Sequence, residues 1–208
     1  DNKLDLLTAT DDTGWNIFNN SRSGINDHTV NTFTNSWGVP TTVQYANISD
    51  PAVYFRANSS NNTSSDYFSP RSGFYVVSRV STEVKPSQSV SVDYEYGGLL
   101  LHKKGRGLLG FEHLRTTDLQ SNVVTETRYY QAWPYTGMPR STAQSRGGYV
   151  MATSSNTVQN QTSAFGGSYP YISNSTENKY ALSTNLLSST ALSVISSTFV
   201  YDTYGNLT

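Results

Sequence analysis

The chain offers few groups that could do chemistry. It has three histidines, His28, His102 and His113, and none has a helical i, i+4 partner of the kind that builds a metal site. His113 falls at a strand position on the face of Phe111, where a semi-buried imidazole with its hydrogen bonds met is the plain reading. There is no cysteine, which excludes disulfides and thiolate zinc sites. A serine nucleophile would need a G-x-S-x-G elbow, which the sequence lacks. Two close carboxylate pairs stand out, Asp11 with Asp12 and Asp93 with Glu95. On a strand the second pair shares a face at roughly 7 Å, within the span of about 5–10 Å that glycoside hydrolysis uses. A solvated outer face explains it more simply. The expectation is therefore no catalytic residue, no metal ligand and no cofactor.

Gly105-Arg106-Gly107-Leu108-Leu109-Gly110 fits G-x-G-x-x-G in form. A dinucleotide loop, however, needs a strand before it and a helix after it, and a strand pattern follows here. The structural alternative is that the glycines permit a tight backbone between strands while Arg106 lies along a sheet surface or binds carbonyls. The aromatic set Tyr129, Tyr130, Trp133, Tyr135, Tyr169 and Tyr171 could stack on sugar rings, but cross-strand aromatic packing is the more economical use. The sequons at Asn47 and Asn174 would matter only in a eukaryotic secretory route.

The elements that carry these residues read as all-β. Within 88–137, Val90, Val92, Tyr94 and Tyr96 alternate with Ser89, Ser91, Asp93 and Glu95, the period of a half-buried strand. After a break at Gly97-Gly98, residues 108–117 read as a second strand, Asp118-Leu119-Gln120-Ser121 as a turn and residues 122–131 as a third strand. Parallel pairing would need a crossover of about a dozen residues, so the three form an antiparallel meander.

Elsewhere, strands are expected at 4–10, 41–48, 74–83, 179–183 and 193–202. That at 74–83 has apolar residues on both faces and is expected to be covered on both. Gly147-Gly148 marks a hairpin between strands at 140–146 and 149–158. Residues 161–178 read as turns, and Ser and Thr argue against a long helix at 186–195. The polar tract 58–66 is expected to be an exposed, mobile loop. The organisation is an entry segment at 1–40, a core meander at 41–146 and further hairpins at 147–208.

Composition agrees. Only 14% of the 208 residues are charged, against 15 tyrosines and abundant Ser, Thr and Asn, which suit pleated surfaces and turns. Fourteen basic and 15 acidic residues give a net charge of -1, so nothing electrostatic points to nucleic acid. No run of about 18 apolar residues suggests a membrane span. The start, Asp1-Asn2-Lys3, has neither an initiator methionine nor a signal sequence and reads as cut from inside a longer protein.

A resemblance sharpens this. Gly105-Arg106-Gly107-Leu108-Leu109-Gly110-Phe111, followed by Thr127-Arg128-Tyr129-Tyr130-Gln131-Ala132-Trp133-Pro134-Tyr135-Thr136-Gly137, resembles the G-R-G-F-L-G-F and T-x-Y-x-Q-x-[FW]-P-[YF]-x-G pattern of bacterial insecticidal toxin-complex B components. These are relatives of SpvB-type virulence proteins and Rhs/YD-repeat proteins. Ser49-Asp50-Pro51-Ala52-Val53-Tyr54 and Tyr75-Val76-Val77-Ser78-Arg79-Val80 are similar to two further family segments, and Tyr201-Asp202-Thr203-Tyr204-Gly205-Asn206-Leu207-Thr208 to a YD repeat. Leu108 stands where the pattern has phenylalanine, and residues 1–40 carry no family motif.

The resemblance implies a non-enzymatic structural segment of a secreted toxin component, part of a larger Rhs-type β-shell that encloses a toxic C-terminal polypeptide. Its partners would be the rest of the same polypeptide and other toxin-complex subunits. The residues it singles out are structural: Gly105, Arg106, Gly107, Gly110, Phe111, Trp133, Pro134, Gly137, Tyr201, Asp202 and Gly205. In the YD unit Tyr201 would stack, Asp202 and Gly205 would shape a turn, and Leu207 would begin a return strand. A carbohydrate-binding or adhesin β-domain is the alternative, centred on Trp133; a hydrolase centred on Asp93 is a third.

Overall fold

A computed structural model describes residues 6–11, 14–18, 29–56, 66–70, 73–85, 88–162, 166–181 and 190–208. The described residues form strands, turns and bends, with no helix. In chain order the strands are β1 (Leu6–Asp11), β2 (Gly14–Phe18), β3 (Thr32–Thr34), β4 (Pro40–Asn47), β5 (Tyr54–Phe55), β6 (Tyr67–Phe68), β7 (Tyr75–Lys85) and β8 (Gln88–Gly97). They continue with β9 (Leu100–His102), β10 (Gly107–Gly110), β11 (His113–Asp118), β12 (Val123–Tyr129), β13 (Pro139–Arg146), β14 (Tyr149–Thr162), β15 (Ser168–Lys179) and β16 (Ser193–Thr198).

Ten of the described strands form one open sheet in the order β16-β15-β14-β13-β12-β11-β8-β7-β4-β3. Every neighbour along that path is antiparallel. The short β5 adds the one parallel pairing among the described strands, lying beside the last residues of β8 with Tyr54 opposite Tyr96 and Phe55 opposite Gly97. A second sheet, β10-β9-β6, rises from the main one between β8 and β11, and β1 with β2 makes a separate hairpin.

Local chemistry sets the turns. Gly147 and Gly148 both have positive φ, 59° and 84°, the backbone a two-residue hairpin needs to match strand twist, and they place Arg146 opposite Tyr149. Between β11 and β12, Oδ1 of Asp118 accepts the amides of Gln120 and Ser121, the side-chain mimic of a backbone turn that favours Asp there.

The expected meander is present as β8-β11-β12, but residues 108–117 are not one strand. Gly110 takes φ 80° and the chain changes sheet there, so Leu108 pairs with Leu101 in the small sheet while Leu114 pairs with Tyr96 and Thr127 in the large one. Residues 161–178, expected as turns, instead supply the end of β14 and nearly all of β15. Asn and Ser disfavour strands only weakly once two neighbours offer a complete ladder, and β15 pairs with both β14 and β16. The strand expected at 179–183 is the end of β15, which stops at Lys179. Along β7 both faces are half-buried through residue 83, so neither is fully covered as expected. Most of the polar tract 58–66 and residues 186–189 of the 186–195 segment lie outside the described residues, while 193–195 belong to β16.

The core is small and sits where the chain leaves the main sheet. Ile48, Tyr54 and Leu99 are buried together, with Val76, Tyr96 and Phe111 packed around them. Tyr54 accepts the Leu99 amide on its hydroxyl, and its ring meets Phe111 edge-on at 6.2 Å. Burial, helped by Tyr94, pushes the Tyr96 hydroxyl up to about 12.

Candidate functional site

The carboxylates Asp93 and Glu95 do share a face of β8, and cross-strand register decides what they do there. Asp93 lies opposite Arg79 of β7, which donates from Nε and Nη2 at 2.5 and 2.8 Å in a bidentate pair. Glu95 lies opposite Arg115 of β11, and Arg115 lies opposite Glu126 of β12. Arg115 thus bridges two acids, at 3.3 Å to Glu95 and 3.6 Å to Glu126. The reading of a merely solvated face is corrected: each carboxylate is engaged by a guanidinium from a neighbouring strand, because opposite residues in an antiparallel ladder stand about 5 Å apart. The hydrogen bonds from Arg79 hold the Asp93 carboxyl below the usual range. A proton donor for glycoside cleavage would need a raised pKa.

His113 is 4% exposed, with the ring of Phe55 edge-on at 4.9 Å. Neither ring nitrogen has a hydrogen-bond partner, so the expectation of a satisfied imidazole is also corrected. Nε2 stands 3.7 Å from Oε2 of Glu126, too far for a hydrogen bond and close enough to attract once charged. Burial is the main reason that its pKa lies below the ordinary 6.5, with Glu126 pulling the other way and Arg128 reinforcing the depression. Among the described residues no group of three or more His, Asp or Glu side chains converges as a metal site.

The glycine motif forms the tip of the small sheet. Residues 103–106 make the turn between β9 and β10, with Gly105 at φ 92° and Gly107 at φ 69°. A strand on both sides removes the phosphate-loop reading. Arg106 projects from this turn onto the indole of Trp133, its guanidinium carbon 4.3 Å from the ring centroid. Trp133 belongs to the turn after β12, in which Ala132 accepts from Tyr135, and Gly137 donates to Tyr130 while Tyr130 donates to Met138. Pro134 follows Trp133 in that turn, and Phe111 points instead into the core.

Between them opens a cleft of about 400 Å³ lined by Tyr67, His102, Lys104, Arg106, Leu109, Ala132 and Trp133. Lys104 pairs with Asp66 at 2.8 Å, and its amide donates to Nδ1 of His102. A neighbouring residue fixes the base of the small sheet. Gln131 Nε2 donates at 2.7 Å to the carbonyls of both Gly98 and Gly110, the points at which the chain leaves and rejoins the main sheet.

The C-terminal motif is a separate unit. Tyr201 bridges to Leu207, and Asp202 caps the intervening turn by accepting the amides of Tyr204 and Asn206 on Oδ1 and the Asn206 side-chain amide on Oδ2. Gly205, at φ 88°, presents its carbonyl to the Tyr169 hydroxyl. Tyr201 packs against Tyr171 at 4.8 Å and Tyr169 at 5.9 Å.

The structure therefore joins Arg106 to Trp133 and Tyr201 to the tyrosines of β15, while placing Phe111 in the core. Sequence reasoning missed Phe55, Tyr67 and Lys104, and gave Gln131, a motif position, no role of its own. Each acts across strands distant in sequence, which no local period reports.

Comparison with known proteins adds one finding. Residues 1–137 match the family model described as the middle/N-terminal region of the insecticide toxin TcdB. The match covers four of the five motifs, ending at Gly137, and includes the first forty residues, which carried no motif in the sequence reading; the motif at 201–208 lies beyond it. A search of curated proteins found no match.

Proposed function

Because the chain belongs to the family of the middle/N-terminal region of the insecticide toxin TcdB, we propose that it is a non-enzymatic wall segment of a secreted toxin-complex component. In this reading it forms part of a larger Rhs-type β-shell around a toxic C-terminal polypeptide. The rest of that polypeptide and other complex subunits are its partners.

The observation that carries the reading is the shape of the main sheet. Among the described residues it runs ten strands across from β3 to β16 without closing, and the outermost of these strands carry exposed apolar side chains, Phe33 on one and Val194 and Ile195 on the other. An isolated protein that ended at such edges would risk edge-to-edge association, whereas a wall continues through them. The face composition agrees. From β13 to β15 most inward and outward positions are Ser, Thr, Asn or Gln, which suits a single layer wetted on both sides better than a sandwich half. The closing YD-like unit, with its Tyr201 stack and Asp202 turn, supports a strand-by-strand repeat.

Limited proteolysis of the full toxin polypeptide tests this. The C-terminal region should resist protease in the native protein and become cleavable when a proline at Thr125, in central β12, breaches the sheet. Ready cleavage of that region in the unaltered protein would overturn the proposal.

A further inference from the structure

We propose that the cleft between the β9–β10 turn and Trp133 is a binding site for a carboxylated sugar. The proposal is independent of the wall reading and concerns a surface that reading does not use.

Three observations carry it. The first is the donor balance. Arg106 and Lys104 bring two permanent cations to one rim, and His102, whose Nδ1 accepts a backbone amide, holds its proton on Nε2 and becomes a third donor. Asp66 compensates Lys104, while Arg106 has no carboxylate partner among the described residues, only the indole. An anionic group is the complement that such a rim lacks.

The second is the platform. Trp133 is 60% exposed, although a Trp seated in a core would be largely hidden. Tyr67 also lines the cleft, held edge-on against His102 at 5.3 Å, and Leu109 adds a buried apolar side chain. Flat aromatic faces beside hydrogen-bonding groups suit a sugar ring, which has an apolar C–H face and a polar edge.

The third is size. About 400 Å³ lies within the range of small-molecule sites and accommodates one or two sugar rings. Arg106 covers one face of the Trp133 indole, so its guanidinium can pair with a carboxylate while the uncovered part of the exposed indole meets the ring beside it.

Calorimetric titration of the full polypeptide with sialyllactose, and with lactose as its uncharged counterpart, tests the proposal. Sialyllactose should bind about tenfold or more tightly than lactose, one charge-assisted contact's worth of preference. Arg106→Gln should abolish that preference, Trp133→Ala should abolish binding of both sugars, and Trp133→Phe should retain weakened binding, which separates loss of the platform from misfolding. Arg146→Gln, on the far hairpin, should change nothing. Equal binding of the two sugars, undiminished binding by Trp133→Ala, no heat at about 10 mM sugar, or full displacement by an equal concentration of sodium acetate would each overturn it.

Discussion

The ring of Phe55 occupies the space that a Cβ on Gly97 would fill. The two residues are opposite each other across the parallel β5–β8 pairing, and the ring that covers the glycine also covers His113. Gly97→Ala should force this ring outward at a cost of about 1–3 kcal/mol, the usual range for overpacking. Phe55→Ala in the same chain should relieve part of that cost. Urea unfolding of the two single variants and the double variant measures the coupling, and strictly additive losses would contradict the contact.

His113 predicts a pH dependence of defined sign. Its folded-state pKa lies below the ordinary 6.5 because it is buried, so its contribution to stability is complete above about pH 6.5 and declines as pH falls from there toward the folded value. Glu126, Arg115 and Arg128 are the charged groups that act on it. The urea midpoint should fall as pH is lowered below about 6.5, and His113→Gln should flatten that part of the profile. In Gly97→Ala, with Phe55 displaced, the imidazole should titrate closer to its ordinary value by NMR.

The Arg79–Asp93 pair behaves differently. Both side chains keep contact with water, at 41% and 30% exposure, so solvent screens them and Asp93→Asn should cost only about 0.2–1 kcal/mol. The Asp93 pKa is depressed, so the pair's contribution persists above about pH 4 and is lost on further acidification. Exchanging the two residues should restore most of the loss, and added salt should shrink the difference.

Gln131→Leu should loosen the small sheet without disturbing the large one. It removes a donor shared by two carbonyls, leaving Gly98 with a longer contact from the Glu112 amide at 3.4 Å. The expected loss is about 1–3 kcal/mol. Hydrogen exchange should quicken across 99–110 and stay slow in β12 and β13.

Asp202→Ala should free the amides of Tyr204 and Asn206, detectable as faster exchange at both. Hydrogen bonds from Asn206 lead in holding the Asp202 carboxyl below 3.8, so in the unaltered protein this turn should survive to lower pH than an ordinary carboxylate would allow.

Much of the large sheet was legible because strand signals are local. The alternation at 89–96, the Gly147-Gly148 turn and the Asp118 turn each report within a few residues, and the structure has β8, β13–β14 and β11–β12 there. Residues 161–178 misled because their Asn and Ser prefer turns when isolated, whereas β14 and β16 on either side offer paired backbone partners. Residues 108–117 misled for the opposite reason. Their apolar pattern runs through Gly110 unbroken, and only the positive φ at that glycine reveals a change of sheet.

The sequence by itself determined an all-β chain with no thiol chemistry, and a family kinship carried by ordered short motifs, because periodicity and motif spacing are properties of neighbouring residues. Tertiary structure alone decided that Asp93 and Glu95 are ion-paired, that His113 is sealed by Phe55 over Gly97, and that Arg106 meets Trp133. Each of these depends on register between strands separated by tens of residues, and register is set by the pairing of whole ladders.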